Sequence, residues 1–262
     1  MPDHQATSCI SSRLEGHVGI VEMHRPPHNY FDQALLIELA TAFEALESEP
    51  GCRAIVLCAQ GNVFCAGADF NDPAGVQKTN NPKGVNPIYT EAIRLFSIGI
   101  PVVAAVHGSA IGGGLGLALV ADFRVTCAEA KFAANFNRLG ITPGFGLTTT
   151  LPRLIGVQAA ARLFYTGRRV DGAEATAIGL ADILVARDKV RDAAVELATD
   201  IAVSSPVAVS LTRKALRNGL VDAIRLAVVK ESQEQNAQFL TIDFAEGVLA
   251  MKERRAPIFG GR

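Results

Sequence analysis

The sequence predicts an α/β fold with largely parallel strands, and three features carry that expectation. Apolar runs of strand length recur at Val18–Met23, Ala54–Cys58, Val102–Val106 and Phe123–Cys127. Stretches of helical periodicity or small residues lie between them, and strands alternating with helices favour parallel pairing under helical layers. Beyond Asp182–Val185 the pattern becomes helical to the end of the chain.

Taken in order, Val18–Met23 is followed by a proline turn at Arg25-Pro26-Pro27. Asp32 then stands as N-cap of an amphipathic helix carrying Leu35, Leu36, Leu39, Phe43 and Leu46 on one side. Residues 71–87 are rich in Asn, Pro, Gly and Lys, a loop long enough to be a lid or a disordered segment. Residues 95–121 contain no Asp, Glu, Lys or Arg, enough to span a bilayer. Pro101, Gly108, Gly112, Gly113, Gly114 and Gly116 interrupt that stretch, so a buried strand, a turn and a buried helix are expected instead. Asp171 with Glu174, and Asp243 with Glu246, have capping-box spacing, and Ser205-Pro206 fits an N-cap followed by an N1 proline. No internal repeat is evident.

Composition excludes several functions. The 262 residues are 49% hydrophobic and 19% charged with a net charge of −1, which is globular and lacks the basic face that nucleic acid requires. The five cysteines, Cys9, Cys52, Cys58, Cys65 and Cys127, show no CxxC pairing. A zinc site or disulfide framework is therefore not expected, and a reducing cytoplasm is. The first fourteen residues lack an apolar core, so no export signal is expected.

Two glycine-bearing turns carry the chemistry: Gly61-Asn-Val-Phe-Cys-Ala66-Gly67-Ala68-Asp69-Phe70, and Pro101 to Val106 running into His107-Gly108-Ser-Ala-Ile-Gly112-Gly113-Gly114-Leu-Gly116. In each, small residues between a strand and a helix start let a ligand touch backbone N–H groups. Two such turns side by side would form an oxyanion hole. The second turn alone also fits plain helix–strand packing. A dinucleotide fingerprint fails because Leu117 stands where the third glycine belongs. A P-loop lacks its Gly-Lys-Ser/Thr, and a nucleophile elbow fails at His107-Gly108-Ser109.

This pair of turns resembles the crotonase (enoyl-CoA hydratase/isomerase) family. The likeness spans nearly the whole chain, from Arg25-Pro26 through Phe64-Cys-Ala-Gly-Ala-Asp69, Ile111-Gly-Gly-Gly114, Ala121-Asp122-Phe-Arg124, Leu139-Gly140-Ile-Thr-Pro143-Gly144 and Leu151-Pro-Arg153-Leu-Ile-Gly156 to Glu246-Gly247 and Glu253-Arg-Arg255. The resemblance implies a spiral of ββα units over residues 1–200 and a helical region over 201–262 that forms a homotrimer or dimer of trimers. It implies an acyl-CoA ligand and no cofactor or metal besides its CoA. The thioester oxygen would sit between the amides of Ala68 and Gly113, each worth roughly 3 kcal/mol of barrier. Arg25, Ala66, Ala68 and Arg254 would meet the CoA portion. Asp122 and Arg124 match a structural pair of the family.

The sequence departs from the family at its acids. Family hydratases use two glutamates, one to activate water and one to protonate carbon; the matching positions here are Gly116 and Phe136. A third acid position used by other branches is Gly144. Asp69, Asp72, Tyr89, Glu91 and His107 are the remaining polar residues near the turns, and each reads more simply as a cap, a solvated loop or helix face, or a satisfied core residue. Three functions stay open: enolate chemistry on an acyl-CoA with unconventional acid/base groups, acyl-CoA binding without catalysis, and a structural scaffold. Returning carboxylates to positions 116 and 136 is expected to create hydration of a short enoyl-CoA.

Overall fold

A computed structural model describes residues 8–70 and 85–261. The chain opens with β1 (Ile10–Glu15), β2 (Val18–Met23), α1 (Gln33–Ser48), β3 (Ala54–Ala59) and β4 (Val63–Cys65). It continues with α2 (Pro87–Ser97), β5 (Val102–Val106), β6 (Ser109–Ile111), α3 (Gly113–Ala118), β7 (Phe123–Thr126) and β8 (Lys131–Ala133). A 3-10 turn (Asn135–Leu139) leads to α4 (Leu147–Ile155), α5 (Val157–Thr166), β9 (Arg169–Asp171), α6 (Gly172–Ala177) and β10 (Ile183–Leu184). The helices α7 (Val190–Ala202), α8 (Pro206–Leu216), α9 (Leu220–Gln238) and α10 (Ile242–Glu253) follow.

These strands form two sheets, one ordered β1-β2-β3-β5-β7-β10 and one ordered β4-β6-β8-β9. Each turn of chain lays one strand in each sheet: β3 then β4, β5 then β6, β7 then β8. This is the expected spiral of ββα units. Pairing is parallel except for β1 against β2 and β9 against β8. Residues 18–23, 54–58 and 102–106 are buried throughout, as strands covered on both faces must be, which is why they read as unbroken apolar runs. By contrast β1, Ile10-Ser-Ser-Arg-Leu-Glu15, is an edge strand exposed along most of its length. Its polar composition gives no strand signal.

Caps follow local chemistry, with one correction. Asp32 Oδ1 accepts from the Leu35 N–H at 2.9 Å, and Asp171 Oδ1 accepts from the Glu174 N–H at 2.9 Å, as expected. Asp243 does not cap α10. The helix starts two residues earlier than that spacing implies, and Thr241 Oγ1 accepts from the Phe244 N–H at 3.1 Å. The Asp243 carboxylate instead takes the N–H groups of Gly260 and Gly261 at 2.7 and 2.9 Å, fastening the C-terminal tail. Ser205 is the residue before the N1 proline of α8, but its hydroxyl makes no capping bond. The charge-free stretch folds as β5, β6 and α3, and among the described residues no single helix is long and apolar enough to cross a membrane.

Asp122 and Arg124 are structural, each through other partners. Buried Arg124 pairs with Asp182 at 2.8 Å and donates to Leu180 O and Ala121 O. Asp122 accepts from Arg213 at 2.8 Å and Arg217 at 3.1 Å, tying α8 to the sheet.

The C-terminal helices also build the wall of the central cavity, because α9 packs against α2 and α4. Its inward face is polar. Glu231 is buried and accepts from the Gly146 N–H at 2.8 Å, the Thr148 N–H at 3.0 Å and Thr148 Oγ1 at 2.5 Å. The residue before α4 is Gly146, which has no side chain to cap with, so this carboxylate from another helix satisfies the first-turn donors. Burial nevertheless pushes the Glu231 carboxyl above the usual carboxylate range. A folded-state pKa above the unfolded one means that the group's stabilising contribution is complete below the unfolded pKa. It is lost as pH rises through the folded value. Glu231→Gln cannot titrate, so it should remove that segment of the pH dependence from urea-unfolding free energies; an unchanged profile would contradict this role.

Candidate active site

The site begins where β4 and β6 pair in parallel and both strands end in glycine bends. A Cβ on Gly114 would lie 2.0 Å from the Cys65 carbonyl oxygen, so no side chain can stand there. Gly67 has φ +82°, a left-handed conformation that favours glycine, and a Cβ on it would lie 2.8 Å from Ile111 O and 3.2 Å from the Gly113 nitrogen. The bends of residues 66–68 and 112–114 therefore touch. Phe31 N donates to Gly67 O at 2.9 Å and holds the first bend from its other side. Among the described residues neither the Ala68 N–H nor the Gly113 N–H is taken by a protein acceptor.

Ala68 and Gly113 both line a cavity of about 560 Å³, a size suited to a small-molecule ligand. Arg25, Ala66, Ala68, Asp69, Gly113, Phe136 and Gly144 line it. The Arg25 guanidinium donates to Asp32 at 2.8 Å and to Tyr30 O at 3.3 Å. Although burial opposes it, the bonds from Arg25 and the Leu35 N–H hold the Asp32 carboxyl below the usual range.

The three acid positions differ in fate. Phe136 is an apolar wall. Gly116 lies behind the lining, and a Cβ there would sit 2.8 Å from Cβ and Cδ1 of buried Phe145. The Phe145 ring, itself at φ +63° and 5.4 Å from the Phe31 ring, occupies the room that a side chain at 116 would need. A carboxylate restored at 116 alone would thus collide with Phe145, which corrects the expectation that two substitutions suffice. Gly144 lines the cavity but is also hemmed in: a Cβ on it would lie 1.9 Å from the Tyr89 hydroxyl. Two aromatic residues from elsewhere in the chain fill the space of the missing side chains.

Tyr89 is buried yet lines the cavity. Its hydroxyl is 2.5 Å from Gln235 Oε1, while Gln235 Nε2 donates to Thr142 O at 2.8 Å. The Thr142 carbonyl fixes which end of the amide faces Tyr89, so the phenol donates to Gln235. Burial, with the nearby Glu231 carboxylate, raises the phenol far above its ordinary pKa, and Tyr89 stays protonated.

Other expected residues lie elsewhere. Arg254 is exposed at the left-handed C-cap of α10 (φ 55°) and does not line the cavity. Glu91 is buried and held by Arg94 at 2.5 Å, away from the lining. His107 sits in a separate cleft with Cys58 and Arg191, its Nε2 2.9 Å from Gly61 O. Asp72 and most of the proposed 71–87 lid fall outside the described residues. The lining residues Phe145, Gln235, Asn135 and Arg169 gave no sequence signal, except that Phe145 stands between two glycines.

The sequence matches the enoyl-CoA hydratase/isomerase family over residues 13–262. The chain belongs to that family. It is 35% identical over 240 residues to the mitochondrial methylglutaconyl-CoA hydratase of Mus musculus, covering 89% of this chain and 76% of the relative. The enoyl-CoA hydratase structure from Bacillus anthracis is similar at TM-score 0.75 and 34% identity, covering 97% of this chain and 100% of that one. An enoyl-CoA hydratase/isomerase structure from Pseudoalteromonas atlantica T6c superimposes at TM-score 0.85 with 26% identity, covering 96% and 100%. These likenesses establish the crotonase superfamily and its fold.

Two predictions follow from the geometry. Gly67→Ala places a methyl against the Gly113 nitrogen in a strained backbone, so acyl-CoA affinity or turnover should fall on the order of 10²-fold. A folded variant with unchanged affinity and rate would contradict the placement. Gly116→Ala should destabilise by about 1–3 kcal/mol through overpacking on Phe145, and adding Phe145→Ala should recover part of that loss in a denaturation double-mutant cycle. Simple additivity would show that the two sites do not meet.

Proposed function

We propose that this protein acts on an acyl-CoA thioester by stabilising enolate charge on the thioester oxygen with the Ala68 and Gly113 amides. The observation carrying this reading is the contact between two glycine bends beside a cavity, where among the described residues those two N–H groups have no protein acceptor. Backbone donors fixed by the fold need no reorganisation as charge develops, which suits a reaction that passes through an enolate. Arg25 and Ala66 flank the amides on the side assigned to CoA, and no cofactor beyond CoA is invoked.

Standard hydration needs two carboxylates, and Gly116, Phe136 and Gly144 supply none. The lining carboxylates among the described residues are Asp32, committed to Arg25 and to capping α1, and Asp69, next in sequence to Ala68. We assign Asp69 the proton-transfer role and Tyr89 a neutral hydrogen-bonding role. Decarboxylation of a malonyl-type thioester is a further member of this reaction class, since loss of CO₂ makes the enolate without a protein base. The filling of positions 116 and 144 by Phe145 and Tyr89 favours a second reading, acyl-CoA binding without catalysis.

We also propose a homotrimer or dimer of trimers formed through the region 201–262, supported by exposed Val203, Val207, Leu211, Leu226, Leu240 and Ile242, and a cytoplasmic location consistent with five free cysteines.

A panel of enoyl- and malonyl-type CoA thioesters separates the two readings. The enzyme reading predicts turnover of at least one at about 1 s⁻¹ or faster, with Asp69→Asn lowering kcat by roughly 10²-fold or more. Tight binding with no turnover across the panel would establish the binding reading instead.

A further inference from the structure

We infer that the acyl group carries a carboxylate at its far end, held by Arg169 together with Asn135; this rests on the acyl-CoA reading above. The order of the smaller sheet gives the cavity a direction. The carboxyl ends of β4, β6 and β8 present, in turn, Ala66 and Ala68, Gly112 and Gly113, and Asn135 and Phe136. The antiparallel strand β9 then brings its first residue, Arg169, opposite Ala133, the last residue of β8. With the thioester oxygen between the ends of β4 and β6 and CoA on the Arg25 side, the acyl chain runs across β8 toward β9. Two strand spacings separate the end of β6 from Arg169, roughly 10 Å.

Two polar side chains meet at that end of the cavity. Arg169 lines it and is exposed, and among the described residues its guanidinium makes no hydrogen bond or ion pair. Its neighbour Arg168 differs, because both of its terminal nitrogens are bound to Glu174. Asn135 also lines the cavity, and among the described residues its carboxamide has no protein partner. The Asn135 Oδ1 lies 3.6 Å from where a Cβ on Gly112 would be, so this amide borders the glycine bend. Arg138 packs on Gly167 just before β9 and donates to Thr166 O at 2.9 Å, without lining the cavity itself. The intervening lining, Phe31, Ile88, Phe136, Ile141 and Phe145, offers no charge. The other lining guanidinium, Arg25, is committed to Asp32 at the opposite end.

A planar guanidinium with an amide beside it matches a carboxylate in geometry and charge. The ligand class is therefore an ω-carboxyacyl thioester, with an apolar segment between thioester and carboxylate.

Calorimetric titration of the full-length protein with matched pairs, glutaryl-CoA against pentanoyl-CoA and adipoyl-CoA against hexanoyl-CoA, tests this. The carboxylated member of at least one pair should bind about tenfold more tightly, the lower end for hydrogen bonds to a charged group. Arg169→Gln should erase that ratio, and Arg169→Lys should restore part of it by keeping the charge without the fork. Thermal melting of each variant confirms folding. Neutral thioesters binding with no preference for the carboxylated partner would overturn this inference and leave the acyl-CoA reading standing. Equal losses for both members in Arg169→Gln would assign the residue to a CoA phosphate and overturn it as well. No binding of any thioester would remove both.

Discussion

The close parallel approach of β4 to β6 is the constraint on which the rest of the molecule depends. At Gly114 a single added carbon would overlap the Cys65 carbonyl, and at Gly67 it would press on Ile111 O. The glycines matter here for contact distance more than for flexibility: they let two backbones touch, and among the described residues the amide after the Gly67 bend has no protein acceptor. The spiral supplies the strands for this contact. Each ββα turn delivers one strand to the large sheet and one to the small sheet, so residues far apart in sequence end at one edge.

What surrounds that edge decides which chemistry is open to it. Phe145 takes the room facing Gly116, and Tyr89 takes the room facing Gly144. Both exchanges replace space for an ionisable chain with an aromatic ring. The resulting low-polarity wall strengthens any interaction made by the two amides, because less water screens it. Under the proposed reading it also leaves the Gly116 and Gly144 positions without the proton carriers that hydration uses. The Tyr89 hydroxyl does not replace them, since its proton is directed at Gln235 and its pKa lies too high for loss.

Much of the fold was legible because long buried strands and a capped amphipathic helix leave strong patterns. Val18–Met23 and Val102–Val106 occur with the expected bounds, and Asp32 caps α1. The three-residue strands that form the small sheet are too short for periodicity to register. Thr241 and Asp243 both stood near a helix start, and only the backbone shows which hydroxyl or carboxylate meets the first turn. The bends of the site were legible through their glycines. The polar face of α9 was not: Glu231, Ser232 and the cavity-lining Gln235 are buried polar residues on one helix, and their partners lie far away in sequence. Tyr89 was named among the polar residues near the turns, but its place beside Gly144, like that of Phe145 beside Gly116, was hidden, because an intrusion into the space beside a glycine is a tertiary event.

A crystal structure of the protein with an acyl-CoA thioester measures the central claim directly. The thioester oxygen is predicted to lie about 3 Å from both the Ala68 and Gly113 nitrogens, the spacing of an oxyanion hole. An oxygen bonded to other donors, or a ligand seated in the cleft beside His107 and Arg191, would contradict it.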